Sequence, residues 1–199
     1  DFCFNKIVHQ LDPVDFAAFH KSPVDFYAVV TNIETGTAEY IPIDNLQDET
    51  QMEYLRASGS MPFVSRPVAI GGKQYLDGGI ADSIPVEKIM KMGYDKIIAV
   101  LTRPKEYRKK QSGAGVAKAY YRKYPRLAQA IANRYKNYNA SAELTAKLEA
   151  EKKIFVFRPT KTVAIRRIEK NTEKIREMYN LGRSDALAGL HGLQEYLEG

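Results

Sequence analysis

Pro67-Val68-Ala69-Ile70-Gly71-Gly72-Lys73-Gln74-Tyr75-Leu76-Asp77-Gly78-Gly79, with Ser83-Ile84-Pro85-Val86 close behind, is the stretch on which the reading of this sequence turns. Two short runs, 67–70 and 73–76, flank Gly71-Gly72, and a glycine pair between strand-like runs predicts a tight hairpin. Asp77 then stands at a strand's end, and the glycines after it permit a sharp turn with no Cβ in the way. A helix is predicted from Ser83 or Ile84 to about Met92, with Gly93 as its stop.

Upstream, Phe26 to Thr31 reads as a buried strand, Asn32 to Gly36 as a turn with Gly36 free for positive φ, and Thr37 to Ile41 as the returning strand. Helices are predicted over Pro13 to Phe19, with Asp12 as N-cap, and over Glu49 to Ala57. Downstream, Lys96 to Thr102 is a strongly apolar strand. Residues 103–153 are mainly helical and are broken at Pro125. Residues 105–115 form a loop, Ile154 to Phe157 a buried strand, and Asn171 to Tyr179 and Ser184 to Leu197 two closing helices parted near Gly182. This alternation predicts a layered α/β domain with a largely parallel sheet. The unbroken apolar runs at 97–101 and 154–157 suit strands buried on both faces.

The chain has 199 residues, 44% hydrophobic and 27% charged, a composition suited to a globular domain with a sizeable core. No run approaches the ~20 apolar residues of a membrane span. Cys3 is the only cysteine, so no internal disulfide can form. Asp1 opens the chain, and Phe2, Phe4, Ile7 and Val8 read as core residues arriving in mid-fold, so an N-terminal segment is expected upstream. The net charge of +6 is uneven: residues 103–138 hold 11 basic residues, one acidic residue (Glu106) and six of the 13 tyrosines.

Taken alone, Asp77-Gly78-Gly79 is a turn motif. Its surroundings carry more. Ala57-Ser58-Gly59-Ser60-Met61-Pro62-Phe63 precedes it, then Arg66-Pro67-Val68 and the glycine hairpin, and Ile84-Pro85-Val86 comes after it. This ordered set resembles the second half of the patatin-like phospholipase family, in which an A-S-x-x-x-P segment leads through a hairpin to D-G-G/A and an x-P-V helix start. Val30 to Gly36 resembles that family's upstream strand and turn. Arg134-Tyr135, Tyr138-Asn139, Pro159 and Tyr179-Asn180-Leu181-Gly182 resemble the C-terminal extension of a bacterial branch.

The resemblance implies a three-layer α/β/α fold with a largely parallel central sheet and a helical C-terminal extension. Residues 1–102 would be the C-terminal half of the catalytic domain. Residues 103–199 would be a basic, helical extension with one further strand (about 154–158) packing on the same domain. It implies a serine ester hydrolase of phospholipase or esterase type, working through a Ser-Asp dyad without cofactor or metal. Asp77 would be the base, in an apolar setting from Leu76 and Ile80, with Gly78 and Gly79 holding its turn. The family's G-x-S-x-G elbow lies upstream of this chain, so the nucleophile is expected outside it, and the chain by itself is expected to be catalytically silent. Where many relatives carry Asn before x-P-V, this chain has Ser83, which can serve equally as a helix cap.

Gly182-Arg183-Ser184-Asp185-Ala186 fits a relaxed elbow pattern but has no strand before it, and Ser184 reads better as the N-cap of the last helix. His9, His20 and His191 are scattered, and no metal-ligand spacing is present. Met61 and Phe63 are candidates for an acyl pocket, with ordinary core as the other reading. In the basic segment, Tyr120, Tyr121, Tyr124, Leu127, Ile131, Tyr135 and Tyr138 recur at helical spacing. Three readings stand: a tyrosine face packed on the domain, a lid or membrane-surface patch, and nucleic-acid binding, for which no motif is present. The expected partners are a lipid or ester substrate, a membrane surface touched through 103–138, and the upstream segment. The expected location is the cytoplasm, with peripheral membrane contact. The rival reading is a non-catalytic module binding an anionic surface, membrane or RNA, on the same fold.

Overall fold

The structure, a computed structural model, describes residues 2–166 and 168–199, with the side chains of Cys3 and Asn5 outside the described set. The chain start at Asp1 and the lone thiol of Cys3 therefore lie outside the described residues. The chain divides into two compact units, Asp1–Ser83 with Lys110–Tyr138, and Ile84–Lys109 with Asn139–Gly199.

The first unit opens with a π-helical stretch, Phe2–Leu11, and helix α1 (Phe16–Lys21). Phe2 is exposed and Phe4, Ile7 and Val8 are only half-buried, so the opening residues are not the core the sequence suggests. Helix α1 is capped by Asp15, which accepts from the Ala18 amide at 2.8 Å, rather than by Asp12. Strands β1 (Phe26–Asn32) and β2 (Ala38–Ile43) form a hairpin whose Gly36 has φ +69°. Helix α2 (Glu49–Ser58) starts at its Asp48 cap. Strands β3 (Val68–Ile70) and β4 (Lys73–Asp77) then turn through Gly71 and Gly72, both at positive φ, as a primed two-residue turn requires.

These strands make one sheet in the order β2-β1-β4-β3, and every neighbouring pair is antiparallel. This overturns the expected three-layer α/β/α domain with a largely parallel sheet. A hairpin returns the chain antiparallel, whereas a parallel pair needs a crossover of roughly a dozen residues or more. Both hairpins are legible in the sequence, and each sets its own two strands antiparallel. Much of the rest is helical.

The core of this unit forms two clusters. Val30, Ala57, Val68, Ile70 and Tyr75 pack between sheet and α2. Ile33, Leu76 and Ile80 pack with Ala117 and Tyr121 and with Leu127, Ala128 and Ile131. The latter come from helix α4 (Ala114–Tyr120), the turn after it, and the first half of helix α5 (Pro125–Ala150). Pro125 is the first residue of α5, where a missing N–H costs nothing. The tyrosine-rich face is thus split: Tyr121 and Tyr124 turn inward, while Tyr120 is 65% exposed alongside Lys118, Arg122 and Lys123.

In the second unit, helix α3 (Val86–Lys91) ends before Gly93, whose φ is +78°. Strands β5 (Ile98–Val100) and β6 (Phe155–Phe157) pair parallel, the one place among the described residues where parallel pairing occurs. Here, too, an expectation fails: Val100 is 75% exposed and Ile98 is exposed as well, so β5 is not buried on both faces. Residues 171–197 form one helix, α6 (Thr172–Glu198), not two. Its N-terminus is capped by Asn171, and Gly189 and Gly192 leave room for the rings of Phe157 and Phe155.

Candidate functional site

Asp77 is the last residue of β4, and its backbone is held from three directions. Val30 of β1 stands opposite it in the ladder. Its amide donates to the Ser60 carbonyl at 2.8 Å. Its own carbonyl accepts from Thr31 Oγ1 at 2.8 Å. Thr31 is fully buried, and the same hydroxyl accepts from the Ala81 amide at 3.3 Å, so one side chain pins both ends of the turn.

The turn is a single 3₁₀ turn, Gly78–Ile80, with Asp77 as its cap. Asp77 Oδ1 accepts from the Gly79 amide at 2.7 Å. Its Oδ2 has no hydrogen-bond partner among the described residues. The carboxylate is therefore tethered through one oxygen. Leu76, just before Asp77, and Ile80, the last residue of the turn, are buried in the core.

Space requires the first glycine and leaves the second little room. A Cβ on Gly78 would lie 2.2 Å from the Val29 carbonyl oxygen. One on Gly79 would lie 3.1 Å from Asp77 Oδ1, 3.3 Å from Arg134 Nη2 and 3.6 Å from Ser83 Oγ. Three polar groups thus converge on Gly79. Its carbonyl accepts from Ser83 Oγ at 2.7 Å and from Arg134 Nε at 2.6 Å. Ser83 does not cap helix α3, whose first turn begins after Pro85 with no side-chain cap; its hydroxyl closes back on the Asp-Gly-Gly turn instead.

The sequence alone gives Arg134 no part in the site. The signal that finds it is the α5 face: Leu127, Ile131 and Arg134 recur at helical spacing, and the two apolar members pack on Leu76 and Ile80. Met61 and Phe63 sit on the loop that Ser60 opens. Met61 is half-buried. Phe63 lies at φ +68°, its amide donates to the Tyr121 hydroxyl at 3.0 Å, and its ring packs edge-on to Tyr120 at 5.7 Å. Two open clefts lie elsewhere, one beside His20 and Phe26 and one beside Lys161 and Arg176, and Asp77 lines neither.

Residues 3–90 match the patatin-like phospholipase family. That segment contains Asp77, Gly78, Gly79, Met61 and Phe63. Residues 124–198, with Arg134, match a second family model, a domain of unknown function, DUF6363. A stretch of 56 residues is 36% identical to the uncharacterized protein YjjU of Escherichia coli (strain K12), and it takes in 28% of this chain and 16% of that protein. Among the described residues no group of three or more His, Cys, Asp and Glu side chains is placed to hold a metal ion. No described helix is long and apolar enough to cross a membrane.

Proposed function

We propose that this chain carries the general base of a patatin-like serine acyl hydrolase, with Asp77 as the base and Gly78 and Gly79 as its turn. The observation that carries the reading is the Asp77 carboxylate itself, tethered by Oδ1 to the Gly79 amide and with no partner for Oδ2 among the described residues, in a segment that matches this family. In the proposed reaction, Oδ2 takes the hydroxyl proton of a serine contributed from outside these residues. The serine oxygen bonds to the ester carbonyl carbon and forms a tetrahedral intermediate. Collapse breaks the carbon–oxygen bond to the alcohol, which leaves with the proton from Asp77. Water then attacks the acyl-serine while Asp77 takes its proton, the acid departs, and the serine is restored. Met61 and Phe63 are assigned to the acyl side of the site. The substrate is a lipid or other carboxylic ester.

The exposed rings of Phe63 and Tyr120, which pack together, and the exposed Lys118, Arg122 and Lys123 near Tyr120 in sequence favour contact of residues 103–138 with an anionic membrane surface. In the intact protein, Asp77→Asn abolishes hydrolysis of p-nitrophenyl butyrate with the fold retained, a loss of roughly 10⁴-fold or more. Wild-type turnover in that variant ends the assignment. Salt-sensitive binding to anionic vesicles or RNA by an intact protein with no esterase activity would favour a non-catalytic binding module.

A further inference from the structure

Tyr124, Leu127, Ile131, Arg134 and Asn137 recur every three or four residues, at the start of α5 and along it, and meet residues between 74 and 81. Tyr124 donates to Gln74 Oε1 at 2.9 Å, Leu127 and Ile131 pack with Leu76 and Ile80, Arg134 Nε donates to the Gly79 carbonyl at 2.6 Å, and Asn137 Nδ2 reaches the Ala81 carbonyl at 3.5 Å. The helix therefore packs against the segment that carries the Asp-Gly-Gly turn and bonds to it at Gly79. Within this row Arg134 is the one charged member. Its Nη2 and Asp77 Oδ1 approach the same point beside Gly79, to 3.3 and 3.1 Å, so they cannot be further apart than those two distances together.

We infer that Arg134 is the positioning residue of the Asp77 turn, and that the start of the 124–198 domain serves to complete the site in the 3–90 segment. The inference rests on Asp77 being the base. Gly79 faces Asp77 through its amide and Arg134 through its carbonyl. A charge-assisted hydrogen bond to that carbonyl, shared with Ser83 Oγ, fixes the tilt of the peptides that aim the amide at Oδ1. With Oδ1 held, Oδ2 keeps one orientation. Arg134 touches no reacting atom and acts through Gly79.

The test uses Arg134→Met and Arg134→Lys in the intact protein. Backbone hydrogen exchange over residues 77–83 and kcat and KM on p-nitrophenyl butyrate are measured on the same samples. In Arg134→Met, exchange at 77–83 accelerates roughly ten- to a hundredfold and kcat falls by a similar factor with KM nearly unchanged. Arg134→Lys recovers part of both. Unchanged exchange at 77–83, or a change in KM alone, overturns the inference. If the Met variant loses protection throughout, the Lys variant is read by the same criteria: local loosening with reduced kcat supports the inference, and parental exchange and kcat there overturn it. Asp77→Asn is run alongside. Wild-type kcat there removes the base assignment, while exchange at 77–83 still decides whether Arg134 holds the turn.

Discussion

Gly78→Ala is expected to destabilise strongly the unit that contains it, and the reason is geometric. The added Cβ would sit 2.2 Å from the Val29 carbonyl oxygen, 2.5 Å from its carbon and 2.8 Å from its Cγ1. Unbonded heavy atoms pack at about 3.5–4.0 Å, so roughly 1 Å of movement is needed. Val29 cannot supply it cheaply. It lies in β1, an inner strand with β2 on one side and β4 on the other, and moving its carbonyl disturbs both ladders. Ordinary overpacking costs about 1–3 kcal/mol. Here the obstacle is backbone, so a loss of about 3 kcal/mol or more is expected. Gly79→Ala is the control. Its Cβ meets side-chain tips at 3.1, 3.3 and 3.6 Å, which can give by a few tenths of an ångström, so the stability cost should stay under about 1 kcal/mol. Urea titrations monitored by far-UV circular dichroism would compare the midpoints at equal slope. If Gly78→Ala lies within about 1 kcal/mol of the parent, or Gly79→Ala costs more, the close approach of β1 to the turn is wrong.

Thr31→Val keeps the shape but removes the hydroxyl that bridges Asp77 and Ala81. It should cost about 1–3 kcal/mol, with Thr31→Ser recovering most of it in a thermal melt. Burial first, then the neighbouring Tyr54 and Glu39, push the Tyr75 phenol well above its ordinary value. The unfolded phenol ionises near about pH 10, so its contribution is intact below that pH and is lost as the pH climbs past it. Stability should therefore fall on the alkaline side, and Tyr75→Phe should flatten that limb in pH-dependent urea titrations. In the second unit, Tyr196→Phe removes the hydroxyl that accepts from the Ile97 amide at 2.9 Å and donates to the Lys153 carbonyl at 3.0 Å. Hydrogen exchange at Ile97 should rise by about tenfold.

What the sequence makes legible is what neighbouring residues decide. Gly71-Gly72, the Asn32–Gly36 turn and the start of α2 each declare themselves within a few positions. The parallel sheet rests instead on the alternation of elements, the family resemblance and apolar runs, and such runs do not state what covers them: 97–101 is as apolar as a buried strand, yet Val100 stands exposed. The turn at Asp77 is legible because its motif is contiguous. Arg134 is not, since it lies 55 residues from the carbonyl it holds, and only the fold brings the two together. Ser83 misleads for a related reason. A serine just ahead of a helix start resembles a cap, but here the hydroxyl has a better acceptor four residues back.

Gly182 shows how tertiary contacts override a local signal, with consequences for the chemistry. A glycine costs a helix only about 1 kcal/mol relative to alanine. Against that, α6 is capped by Asn171 at its start. Beyond Gly182, Asp185 accepts from the amide and hydroxyl of Thr160, each at 2.9 Å. Further on, Gly189 fits the ring of Phe157, and Tyr196 is bonded at two points. With both halves fastened, one glycine cannot part them. Ser184 consequently lies in mid-helix, neither a cap nor on the strand-to-helix turn that exposes a nucleophile. The acid–base chemistry proposed for this chain then rests with Asp77, and what keeps that carboxylate aimed is a turn crowded against β1 on one side and held by Arg134 on the other.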